Sequence, residues 1–155
     1  MSTSYVFPQL APLYAALGPW VEALLRVAVA LCLVPHGLRM SFGFFPNTGM
    51  PVNSVRMLGD VLNNEGYKPG HLWAPVIAIT ELICGPMLAL GLLTRMVAIP
   101  IVILLVMSIV EHRKFGWFWN QQGIEYPVLW ACAALYFLVH GGGPISLDAL
   151  IGWQF

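Results

Sequence analysis

Apolar residues fall into four long runs along this chain, and the polar positions inside and between those runs decide how it is read. The runs cover about 19–40, 72–93, 95–112 and 124–140. A bilayer core of about 30 Å takes about 20 residues of α-helix, so each run is the length of a membrane span or close to it. The pattern predicts an all-α, polytopic membrane protein: an antiparallel four-transmembrane-helix bundle with short connections. The long connection, 41–70, is rich in Gly, Pro and Asn. Within it Val52, Val55, Leu58, Val61 and Leu62 recur at helical spacing against Asn53, Arg56, Asp60 and Asn63. That spacing predicts a short amphipathic interfacial helix over about 52–63. Thr94-Arg95 alone separates the second and third runs, which therefore form a tight hairpin, and Phe115, Trp117, Phe118 and Trp119 read as an aromatic belt at the membrane surface. The whole of 1–155 reads as a single domain.

The polar residues inside the runs carry the functional information. Glu81 lies near the middle of LWAPVIAITELICGPMLALGLL, where a bare charge costs about 3 kcal/mol on insertion scales and so needs a protein-facing environment. At 100° per residue it shares a face with Ala74, Ala78, Gly85 and Leu92, leaving Ile77, Leu82 and Leu90 for lipid. A kink is expected at Gly85-Pro86. In the first run, Pro19 suits a first helical turn, Glu22 and Arg26 are spaced to pair, and Pro35 should loosen the backbone beside His36. The fourth run places Glu125, Cys132, Tyr136 and His140 on one arc. Up-down threading brings His36, Arg39, His112 and Glu125 to one end of the bundle. Counted from that end, Glu81 lies at a depth of about 14 Å, with Arg26 at a comparable depth, so the two are expected to pair.

Composition narrows the class. Of 155 residues, 59% are hydrophobic and 9% charged, with mean hydropathy +0.77, against about 25% charged in soluble domains. Seven Lys and Arg balance seven Asp and Glu, so nothing argues for a nucleic-acid partner. Cys32, Cys84 and Cys132 occupy separate runs without a C-x-x-C and are expected to be buried core residues. The start of the chain lacks the basic residues and unbroken apolar run of a cleavable signal, so the first span is expected to direct insertion. Arg39, Arg56, Lys68, Arg113 and Lys114 lie on one side against Arg95 on the other, which places the long connection in the cytoplasm and the termini outside.

Four motifs together resemble the DoxX-like membrane proteins: LLRVAVALCLVPHGLRM, the Gly66–Arg95 run ending ELICGPMLALGLLTR, GIEYP at Gly123–Pro127, and GGGPISLD at Gly141–Asp148. Arg26, His36, Gly37, Glu81, Arg95, Glu125 and Asp148 occupy that family's characteristic polar positions. The resemblance implies a multi-pass protein of the bacterial inner membrane and a role as the membrane subunit of a quinone-linked oxidoreductase or other redox complex. On that reading Glu81, Glu125 and His36 handle protons, while Arg26, His36, Glu81 and Tyr136 bind a quinone headgroup, because quinone chemistry needs buried acid–base groups within hydrogen-bond reach. The partners are the lipid bilayer and a protein of the complex. The alternative is a non-catalytic assembly or scaffold protein that docks or matures a partner enzyme, with the buried charges fixing helix register. Haem or metal bound by His36, His112 and Glu125 is the weaker option, since no two histidines lie at i, i+3 or i, i+4.

Overall fold

The computed structural model describes residues 7–49 and 51–153. Every regular element among them is helical: α1 (Ala11–Phe42), α2 (Val55–Asn64), α3 (Gly70–Ile79), α4 (Gly85–Leu90), α5 (Thr94–His112), α6 (Glu125–His140) and α7 (Leu147–Leu150). A π-helical turn, Thr80–Cys84, joins α3 to α4 into one rod, and short 3₁₀ turns lie at Pro8–Leu10, Arg113–Phe115 and Trp119–Gln121. Three of these rods, Pro8–Phe42, Gly70–Leu90 and Thr94–Phe115, are long and apolar enough to cross a membrane. α6 has 16 residues, about 24 Å at helical rise, which is short of that length.

Proline explains where the element boundaries depart from expectation. α1 starts at Ala11 rather than 19, because Pro12 already fits the first turn, and it continues unbroken through Pro19 and Pro35. Helical backbone thus continues beside His36, although Pro35 has no N–H to give the carbonyl four residues back. The α3–α4 rod is irregular one turn earlier than the expected Gly85-Pro86 kink. Pro86 cannot donate to the carbonyl four residues back, and the wide turn at Thr80–Cys84 takes up the mismatch before the ring.

α1 packs on α4 and the π turn, α5 on α6, and α2 on α3. Val29, Leu33, Leu88, Val97, Ile101, Ala134 and Phe137 form the main core, while Val52, Leu58 and Ala74 form a smaller one beneath α2. α3 begins beyond the end of α1 and leans on α2, where Gly59 meets the His71 ring and the Gly70 N–H donates to Asn63 Oδ1 at 2.7 Å. Ser54 caps α2 by accepting from Met57 N. Tyr67 donates its hydroxyl to Glu111, tying the long connection to the end of α5. This bond to a carboxylate raises the Tyr67 hydroxyl above its ordinary pKa. Cys32 and Cys84 are half-buried, but Cys132 faces outward, so the expectation of three core cysteines holds only partly. Trp117, Phe118 and Trp119 are exposed. By its sequence Tyr5 suits the headgroup level of the membrane, and it lies outside the described residues.

Candidate functional site

The small-residue face expected around Glu81 is the buried face of its helix. Ala74, Ala78 and Gly85 are buried with it and Leu90 is exposed, but Ile77 and Leu82, expected to face lipid, are half-buried, Ile77 against the smaller core and Leu82 against Gly37. Glu81 itself is 5% exposed, and its Oε2 is buried without a hydrogen-bond partner among the described residues. It stands on the π turn, whose wider backbone distinguishes it from ordinary helix. Gly37 allows that approach: a Cβ there would lie 2.8 Å from Glu81 Cβ and 2.9 Å from the Leu82 side chain. The cation whose field reaches Glu81 is Arg39, which also donates to Thr48 O at 3.0 Å. His36, next to Gly37, faces outward from α1 and lies within electrostatic reach of Arg39 and His112.

Arg26 is elsewhere. It is 2% exposed, donates through NH2 to Ile145 O, and packs against Gly91 and Ser146. Glu22 and Asp148 supply the opposing charge, and neither Nε nor NH1 has a partner. The expected Arg26–Glu81 pair is thus not formed. The depth estimate fails because α3 starts past the end of α1, so Glu81 comes level with Gly37 rather than Arg26. Eleven residues of helix, about 16 Å, separate those two positions on α1. Tyr136 belongs to the Arg26 end too, donating its hydroxyl to Glu22 Oε1 at 3.3 Å. Glu125 lies at the opposite end, where its Oε2 accepts from Trp119 N at 3.2 Å and closes the loop before α6. The five sequence candidates therefore divide between two ends of the bundle. Among the described residues no three His, Cys, Asp or Glu side chains gather as metal ligands, so His36, His112 and Glu125 do not form such a set.

Asp148 is the residue whose role sequence reasoning missed. Leu93 precedes α5 in a left-handed conformation, φ 49°, and offers no side-chain cap. Asp148 supplies the cap from α7: Oδ1 accepts from Leu93 N at 2.7 Å, and Oδ2 accepts from Thr94 N at 2.9 Å and Thr94 Oγ1 at 2.7 Å. A carboxylate at a helix N-terminus also opposes the helix dipole. Only the acid in GGGPISLD hints at this, and nothing in the spacing names its partner 54 residues upstream.

A family model described as DoxX matches residues 21–114, more than half of the chain. The chain belongs to the DoxX family. The matched stretch carries Arg26, His36, Gly37, Glu81 and Arg95, whereas Glu125, Tyr136 and Asp148 lie beyond it. With three membrane-capable helices, this DoxX protein is a multi-pass membrane protein. Neither the curated proteins nor the solved structures compared with it match it.

Proposed function

We propose that this DoxX protein is a four-span subunit of a quinone-linked redox complex in the bacterial inner membrane, with Glu81 as its proton-handling group. On this reading α6 is the fourth span and α2 rests at the membrane surface on the cytoplasmic side. The observation that carries the proposal is the orphaned Glu81 oxygen. A carboxyl buried to this degree without a partner costs stability and has no packing role that an apolar side chain would not fill as well. On this reading the headgroup site shrinks to Glu81 and Arg39, whose charge reaches it, with His36 on the outer side of α1 near Arg39 and His112. Arg26 and Tyr136 have no place in it. When bound, a quinone supplies an acceptor for electrons and protons. Glu81 would hold or release a proton at its free Oε2, and the His36 imidazole would carry protons towards His112 and the long-connection end.

The alternative assembly role has its own support. The rod Pro8–Phe42 has 35 residues, about 52 Å, and its first half leaves Leu13, Leu17, Trp20 and Leu24 exposed, a surface available to a partner. Glu81→Gln separates the two readings. In well-folded protein with the same partner occupancy, quinone-linked activity of the complex should fall by about 10² to 10⁴-fold, the range for loss of a positioned acid or base. Full activity would leave the assembly role as the better account.

A further inference from the structure

A second polar feature lies at the opposite end of the bundle from Glu81. A cavity of about 580 Å³ opens where the α4–α5 turn meets the segment after α6. Its wall includes Arg95, His140, the Gly141–Gly143 loop, Asp148, Ala149 and Trp153. Several donors in this wall are unfilled. Arg95 donates NH2 to Val139 O at 3.0 Å, which caps the end of α6, but its Nε is buried without a partner. His140 donates Nδ1–H to Tyr136 O at 3.2 Å and stacks on the Tyr136 ring. The N–H groups of Gly142 and Gly143 enter none of the loop's hydrogen bonds among the described residues. Gly141 and Gly143 both have left-handed backbone, φ 83° and 70°.

Two acids stand beside two guanidiniums here, so what the cavity offers an anion is open donors rather than an excess of positive charge. Asp148 is the carboxylate in the wall, and both of its oxygens are already engaged by Leu93 and Thr94. Glu22 lies behind Gly143 and accepts from Tyr136. Arg26 stands close to both acids and adds a second guanidinium behind the loop. Beside this polar cavity α7 exposes Leu150, 79% accessible, together with Ile151. A donor-rich cavity at the end of membrane-spanning helices, next to an apolar ledge, matches a ligand with a phosphate group on an acyl body.

We propose that the Arg95–His140–Gly142 cavity binds a phosphate oxyanion, carried by a phospholipid headgroup whose acyl chains lie against Leu150 and Ile151. Native mass spectrometry of the purified full chain tests this with phosphatidylglycerol, diacylglycerol of the same acyl chains, and inorganic phosphate. Wild type should retain phosphatidylglycerol in preference to diacylglycerol. Arg95→Gln, which removes the charge and keeps much of the stem, should weaken phosphatidylglycerol retention at least about tenfold. Ala149→Phe should do the same by filling the cavity from an exposed position while leaving the Arg95 bond to Val139 in place, so it serves even if Arg95→Gln does not fold. Arg56→Gln, on exposed α2 surface at the other end, should leave retention unchanged. Displacement of phosphatidylglycerol by inorganic phosphate would support the same oxyanion chemistry with a free anion as its source. Equal retention of phosphatidylglycerol and diacylglycerol, or wild-type retention in a folded Ala149→Phe protein, would overturn the proposal.

Discussion

Two carboxylates in this protein are buried almost equally, Asp148 at 8% exposed and Glu81 at 5%, yet their surroundings are opposites. Asp148 has both oxygens filled by backbone and hydroxyl donors that it reaches across the fold. Glu81 keeps Oε2 without a partner in the middle of a membrane-length rod. Burial alone therefore does not mark a functional acid. Satisfaction does: a carboxylate with every lone-pair direction served stabilises the fold, while one left unserved costs stability unless it does something else. The two ends of the bundle differ accordingly, with a clamp at the α4–α5 turn and an open acid at the π turn.

Removing the clamp should produce the largest effect. Asp148→Ala leaves Leu93 N, Thr94 N and Thr94 Oγ1 without their acceptor and takes away the side-chain cap of α5. Loss of hydrogen bonds to a charged group together with a helix cap costs about 3 kcal/mol. Thermal unfolding in mild detergent should show a clear drop. Asp148→Asn should recover part of it, since an amide oxygen still accepts one of the bonds. A small change in Asp148→Ala would mean that the cap is dispensable and the contrast with Glu81 is lost.

Gly37 tests the other end through packing. A Cβ there meets Glu81 Cβ at 2.8 Å and Leu82 at 2.9 Å, and Gly37→Val adds two further methyl groups. Overpacking of this kind costs about 1 to 3 kcal/mol. The α1–π-turn contact should open, and solvent-accessible labelling of a cysteine placed at Leu82 should increase. Unchanged stability and labelling would show that α1 does not press on the π turn there.

How much of this was legible beforehand follows from what each residue needs. Helices and the inward face of Glu81 were readable because hydrophobic periodicity records burial along one element. The Ala74–Ala78–Glu81–Gly85 stripe is such a case. Glu22 was readable as a counter-charge for Arg26 from their spacing, but the absence of an Arg26–Glu81 pair was not, since it depends on how far α3 overshoots α1. That offset is set by α2 packing through Gly59 and Gly70, a contact between elements rather than a pattern within one. The Asp148 clamp was hidden for the same reason, because cap and capped helix lie 54 residues apart. The π turn had a signal in Pro86, but a missing N–H can equally produce a kink, and only the surrounding packing chooses between them.

The smallest expected change belongs to the acid that looks most out of place. Glu81→Gln keeps the size and shape that fit beneath Gly37 while removing a group that the fold leaves unserved. If Oε2 contributes nothing to folding, the amide should unfold within about 0.5 kcal/mol of wild type, the range of substitutions that break no named interaction. Glu81→Leu goes further, since an apolar side chain of similar bulk removes the desolvation cost altogether and should match or exceed wild-type stability. Equilibrium unfolding of both variants, compared with Asp148→Ala in the same detergent, makes the contrast quantitative. A loss for Glu81→Leu as large as that for Asp148→Ala would show that Glu81 holds the helices together, and the reading of the π turn as a proton site would fail with it.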